Sequence, residues 1–239
     1  MSGWDYEIRR TGPIGALNIA FSIRQMFQFT VTQEHGSTAA SGAAYARLMS
    51  RLGQQGRLRV FRIFRRRLEA DQPISPSRLD CRLLSERDVL LLCADSSLEL
   101  VPHKVQAAYA RGDQCAGAFH DGKLAGYCWF ALSAAPQMDG AWLEFPPHVV
   151  YTYKSYVRPA FRGRGIAADL YRFADARYLE RGRTHAVICV ESHNRPSIAA
   201  AKRSGFADAG YAGYLGGARL RAWASRAAAD YGLRFYVPE

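Results

Sequence analysis

Val149-Val150-Tyr151-Thr152-Tyr153-Lys154-Ser155-Tyr156-Val157, followed shortly by Arg162-Gly163-Arg164-Gly165-Ile166-Ala167, is the stretch that decides the fold. The first part is rich in β-branched and aromatic residues and predicts a strand. The second opens a helical pattern, with Ile166, Leu170, Phe173, Ala174 and Tyr178 on one side and Gly182 placed to end it. The amides at the start of such a helix have no partner within it, and the helix dipole adds positive charge there. Glycines let the backbone come close to a bulky anion. A strand feeding this turn therefore reads as a phosphate cradle, with Arg162 and Arg164 adding charge at the rim. A tight turn without a ligand is the other reading.

Downstream, Ala186-Val187-Ile188-Cys189-Val190 is a short continuous apolar run, as expected of a strand buried on both faces. Glu191, Ser192, His193 and Asn194 follow, and Pro196 suits the first turn of a helix over about 197–203 that ends at Ser204-Gly205-Phe206. Together these features resemble the GCN5-related N-acetyltransferases, the GNAT family. The family's Arg/Gln-x-x-Gly-x-Gly/Ala motif is met by Arg162, Gly165 and Ala167, and its strand–Asn–helix–Gly-Phe motif by Asn194 and Gly205-Phe206. Val157-Arg158-Pro159 fits its Val-x-Pro. The match covers roughly a quarter of the chain, in the right order and spacing.

The resemblance implies an α/β fold of the mixed α+β kind. Its centre is a mixed, mostly antiparallel sheet with two splayed parallel strands, flanked by helices. It implies acetyl-CoA as acyl donor, bound between strands at 151–157 and 186–190. The pyrophosphate would sit on the amides of Arg162, Gly163, Arg164, Gly165, Ile166 and Ala167, and the pantetheine arm would pair with backbone near Tyr156 and Val157. Asn194 would face the cofactor; capping its helix is the equal alternative. The activity implied is N-acetyl transfer by direct attack of an amine, here expected to be that of a small molecule.

Two departures from the family bear on mechanism. Many members carry a carboxylate base where this chain has Tyr151, and residues 145–161 contain neither Asp nor Glu. Many carry a tyrosine acid where this chain has Ala201. The remaining catalytic candidates are Glu191, at the carboxyl end of the second splayed strand, and Tyr151. His193 and Tyr153 are further candidates, and Trp129, Trp142, Tyr151 and Tyr153 could line an acceptor pocket or simply pack.

The 239 residues are 49% hydrophobic and carry a formal charge of +11, nearly all of it from arginine. A medium domain covering 76–239 is expected, with residues 1–75 as an N-terminal extension of unclear fold. In that extension residues 14–31 alternate as in a strand at first, 37–52 read as a helix, and Leu58 to Phe64 is ambiguous between strand and helix. Arg65-Arg66-Arg67 reads as a solvated basic rim; the arginines from Arg59 to Arg67, with Arg162 and Arg164, would instead form a nucleic-acid surface, which is the weaker partner expectation.

From residue 76 on, a first strand near Cys81 leads to a helix capped by Ser85, and a second helix covers 105–111. Two strands follow, joined by His120-Asp121-Gly122-Lys123, a hairpin signal. Residues 134–147 read as a loop, and 207–239 supply the last strands. Five cysteines without a Cys-x-x-Cys read as reduced core residues, with no metal site, in a cytoplasmic protein. Charges at Asp5, Glu7, Arg9 and Arg10 argue against a signal peptide, and no apolar run reaches the ~20 residues of a membrane helix. A homodimer is left open. No Walker-type motif is present, which argues against a nucleotide hydrolase.

Overall fold

The β-branched and aromatic runs of this chain become strands, and the segments with apolar residues three and four apart become helices. The structure, a computed structural model, describes residues 39–54, 58–69, 79–138, 140–215 and 221–238. The alternation at 14–31 lies outside the described residues. In chain order the elements are α1 (Ala39–Gln54), β1 (Leu58–Arg67), β2 (Asp80–Leu84), α2 (Glu86–Leu92), α3 (Pro102–Ala110), β3 (Gln114–His120), β4 (Lys123–Ala131), β5 (Ala135–Pro136) and β6 (Trp142–Glu144). They continue with β7 (Val149–Val157), α4 (Ile166–Leu179), β8 (His185–Glu191), α5 (Arg195–Arg203), β9 (Ala207–Leu215), β10 (Arg221–Ala224), α6 (Arg226–Ala229) and β11 (Arg234–Tyr236).

The main sheet has eight strands in the order β10-β9-β1-β8-β7-β4-β3-β2. All its neighbours are antiparallel except β7 and β8, which are parallel and joined through α4. This is the mixed, mostly antiparallel sheet flanked by helices that the resemblance implies. At the β3–β4 hairpin both Asp121 and Gly122 have positive φ, the geometry a two-residue turn of matching twist demands. Ser85 caps α2 and Asp88 reaches back to the Ser85 amide at 2.9 Å, a complete capping box.

Each face of the sheet has its own core. Under α4 lie Phe64, Phe130, Val150, Leu170, Tyr178 and Phe206. On the other face Phe61, Ile63, Leu143, Tyr151 and Phe235 pack together, and α2 and α3 bring Val89 and Val105 into a cluster with Tyr127 and Trp129. Three details differ from the sequence reading. Residues 134–147 are not simply a loop: β5 and β6 pair there, and β11 adds to β6 to make a second, three-stranded sheet. Such short strands carry too few residues for a periodic signal.

Second, Leu58–Arg67, which precedes the expected boundary at 76, is an interior strand of the main sheet between β8 and β9. Third, its arginines are a solvated rim only at Arg67, which is exposed; Arg65 is half-buried. Arg62 and Arg66 are buried. Arg66 forms a bidentate pair with Asp175 of α4, Nη2 to Oδ1 at 2.7 Å, and Arg62 pairs with Asp208. An interior strand is covered on both faces, so its charges persist only when carboxylates meet them.

Candidate active site

The site begins where two parallel strands part. β7 and β8 pair at Val149↔His185, Val150↔Ala186 and Tyr151↔Val187, and no further. Both strands continue beyond that point, to Val157 and Glu191. β7 stays paired with β4 on its other edge as far as Val157↔Gly126. Its edge toward β8 is thus an open backbone edge, which an extended ligand can complete as an added strand.

A bulge re-aims the side chains along this open edge. Val150 faces α4, whereas Val149 and Tyr151 face the opposite core. Lys154 has φ +44°, and the β4–β7 register shifts between Tyr127 and Trp129. An extra residue in one strand reverses the alternation beyond it. Ser155 and Val157 therefore turn to the α4 side and Tyr156 to the other, where it stacks on Tyr127.

The glycine turn follows. Gly163 and Gly165 both have φ +79°, and a Cβ at either would meet nothing within 4 Å. The glycines are needed here for backbone conformation, not for space. Gly165 stands at the N-cap of α4 without a side-chain cap. Arg162 donates its amide hydrogen to Pro159 and Asp169 to Gly165, while among the described residues the amides from Gly163 to Ala168 find no backbone acceptor. These donors at a helix start fit a pyrophosphate. Arg162 and Arg164 lie exposed beside them; Arg162 Nε donates to the Val157 carbonyl at 3.2 Å and Arg164 covers the Phe161 ring. Arg158, only the variable position of Val-x-Pro in the sequence reading, ties the turn to the sheet through the Leu124 carbonyl at 2.7 Å and Asp95 at 2.6 Å. Hydrogen bonds from Ser97 and Arg158 hold the Asp95 carboxyl down at about 2.

The other residues expected from the sequence are placed as follows. Asn194 caps α5, its Oδ1 accepting from the Ser197 amide at 3.2 Å. Glu191 ends β8, with Arg59 Nη1 at 2.7 Å and His193 Nε2 at 3.7 Å from its oxygens. Tyr151 is buried at the last paired position, and Gln137 Nε2 donates to its hydroxyl at 2.9 Å. Burial lifts its phenol well above the ordinary value. Tyr153 stacks on both Tyr151 and Trp129. Its hydroxyl donates at 2.7 Å to Asp113, which also binds Arg111 at 2.6 Å; burial raises the Asp113 carboxyl. Trp142 lies under the Arg111 guanidinium. The four aromatics thus gather on the face opposite α4. Gln137, Arg111 and Asp113 were missed by sequence reasoning, and Arg59 was read only as part of a basic cluster: Arg59, Gln137 and Asp113 meet partners on other strands, and the Arg111–Asp113 pair, two residues apart, carries no motif.

The profile of the Acetyltransferase (GNAT) family matches residues 85–206, just over half of the chain. No curated protein matches. Among solved structures, an acetyltransferase from the GNAT family from Novosphingobium aromaticivorans DSM 12444 is 20% identical with a TM-score of 0.45, over 77% of this chain and 66% of its own. One from Colwellia psychrerythraea is 17% identical with a TM-score of 0.45, over 70% of this chain and 56% of its own. A ribosomal-protein-alanine N-acetyltransferase from Brucella melitensis biovar Abortus 2308 is 22% identical with a TM-score of 0.40, over 52% of this chain and 89% of its own. The chain spans just under two thirds of the Novosphingobium structure and less of the Colwellia one. The family match takes in both the parted strands and the glycine turn, and the chain belongs to the acetyltransferase (GNAT) family.

Proposed function

We propose that the protein is an N-acetyltransferase that moves an acetyl group from acetyl-CoA to the amine of a small molecule. The observation that carries this reading is the parting of β7 from β8 directly before a turn of unpartnered amides. The amides from Gly163 to Ala167 would receive the pyrophosphate, with the Arg162 amide, already bonded to Pro159, left out of the set, and the backbone at Tyr156 and Val157 would receive the pantetheine arm. Bound acetyl-CoA would supply a thioester open to nucleophiles. The acceptor amine would enter on the face lined by Trp129, Tyr151 and Tyr153. A protonated amine cannot attack, so a base must take its proton; Glu191, directly or through water, is the group we assign. Tyr151 keeps its proton and serves only as a hydrogen-bond donor.

Thermal unfolding with and without acetyl-CoA tests the reading. At ~100 times its dissociation constant a ligand adds ~2.7 kcal/mol, an easily read rise in Tm. Gly165→Glu should abolish most of that rise, because a side chain at positive φ costs about 1–2 kcal/mol and the new carboxylate would oppose the phosphates. No rise with acetyl-CoA or longer acyl-CoAs would overturn the function, and normal affinity in Gly165→Glu would overturn the cradle. The lack of a carboxylate over 145–161 and of a tyrosine at Ala201 favours one second reading, a CoA-binding module without turnover. Amine-dependent release of CoA would eliminate it.

A further inference from the structure

Ser155 stands where β7 has already left β8, and its hydroxyl is the outermost of three linked groups. Its Oγ lies 3.0 Å from the Cys128 Sγ and 2.9 Å from the Tyr171 hydroxyl. Cys128 of β4 and Tyr171 of α4 are buried, whereas Ser155 is exposed. A serine hydroxyl offers one hydrogen and two lone pairs. Burial pushes the Cys128 thiol up to about 12 and lifts the Tyr171 phenol as well, so both keep their hydrogens. The Tyr171 hydroxyl has no other partner among the described residues, so it donates to Ser155. Cys128 has a second acceptor in the Trp129 carbonyl at 3.7 Å, but the Ser155 oxygen is nearer. With both lone pairs of Ser155 filled from the core side, its own hydrogen is left for whatever occupies the gap between the strands.

Phe206 packs edge-on against Tyr171 at 5.4 Å, and Arg66, paired with Asp175, covers Phe206 at 5.2 Å, so the Tyr171 ring is held in place behind Ser155. β7 carries no carboxylate.

We propose that Ser155 is a catalytic residue: it donates a hydrogen bond to the thioester sulfur and holds the thiolate as it leaves, with Tyr171 and Cys128 positioning its hydroxyl. This rests on the acetyl-CoA reading above. The amine nitrogen forms its bond to the carbonyl carbon, and the carbon–sulfur bond breaks with its electron pair going to sulfur. The ammonium gives one proton to the base before it attacks and a second as the amide forms; the thiolate takes one of these back, relayed from the base through water, and the other goes to solvent, so that ammonium and thioester give amide, thiol and one free proton. Ser155 itself stays protonated throughout.

The test uses free CoA on the full-length chain and reads the absorbance of its thiolate against pH. Bound to the wild type, the thiol should titrate about one to two pH units below free CoA, the size of a hydrogen bond to a charged group. Ser155→Ala should remove that drop, Ser155→Thr should restore it, and Tyr171→Phe should remove part of it while keeping the ring against Phe206. If CoA raises the Tm but its thiol titrates as in water, or as in Ser155→Ala, this proposal falls and the acetyl-CoA reading stands. If CoA fails to raise the Tm of the wild type, both fall.

Discussion

Along the edge that faces β7, β8 pairs over three positions and then parts from its neighbour. Along its other edge it pairs with β1 over seven, from Phe61↔Glu191 to Arg67↔His185. The ladder continues past the end of β8, where the Ser192 amide donates to the Val60 carbonyl at 2.8 Å. A strand must satisfy its backbone groups somewhere. β1 does this for the whole of one edge, which leaves the other free to open without loosening the strand. The opening between β7 and β8 is therefore a feature of a well-anchored strand, and the anchor comes from a segment far away in sequence.

The most severe way to break this contrast is Phe64→Pro. Phe64 is fully buried opposite Ile188 near the middle of β1, and it belongs to the alternate positions whose amides face β8, set by the Ser192–Val60 and Leu68–Thr184 bonds at the two ends of the ladder. Proline removes that ladder donor, and the lost aromatic packing costs about 3–5 kcal/mol. Together these approach the whole stability of an ordinary domain. The variant should lose cooperative unfolding in urea. Wild-type stability would mean that β1 does not anchor β8.

Next comes Arg66→Ala, which strands Asp175 without its partner. Breaking a buried pair from one side costs about 3–5 kcal/mol. The sign of its pH dependence follows from Asp175. Burial raises that carboxyl above its ordinary 3.8, even with Arg66 pulling it down. The native state then holds more protons than the unfolded chain between 3.8 and the raised value, so this contribution to stability falls as pH climbs through that window. Without Arg66 the window widens upward. The deficit of Arg66→Ala should therefore shrink as pH is lowered from 8 toward about 4, as read by urea unfolding at each pH. A deficit independent of pH would mean that Asp175 is not left charged and buried.

The two sides of β8 also differ in how legible they were. The β7 side announces itself locally: a β-rich run, a glycine turn, a helix and an Asn-helix-Gly-Phe ending all lie between residues 149 and 206. The β1 side does not, because Leu58 to Phe64 is ambiguous between strand and helix and the arginines that follow read as a basic rim. Its charges become acceptable only through Asp175, Glu191 and Asp208, all more than 100 residues away. The site shows the same division. The cradle glycines were visible because positive φ demands them, and Asn194 because capping has a sequence signature. Ser155 and Tyr171 were not, because their meeting depends on the bulge at Lys154, which no residue type near it specifies. Asp113 was hidden because Tyr153, 40 residues on, reaches it only through the sheet register, and the neighbouring Arg111 alone marks no site.

The smallest effect sharpens the open side of the comparison. Asn194 caps α5 just beyond the end of β8, and it is also the residue assigned to face the cofactor. Asn194→Ala should cost about 1 kcal/mol through the lost cap. Asn194→Ser should cost almost nothing, since a serine oxygen can accept from the same amide. Stability thus separates the two variants, whereas cofactor affinity should not. If the Asn194 side-chain amide donates to acetyl-CoA, both variants lose that bond, and both should bind several-fold more weakly by about 0.5–1.5 kcal/mol. If Asn194→Ser binds acetyl-CoA like the wild type, the residue is a cap alone. The contacts on the open edge would then come from the backbone of β7 and the glycine turn, with β8 acting only as the wall that β1 holds in place.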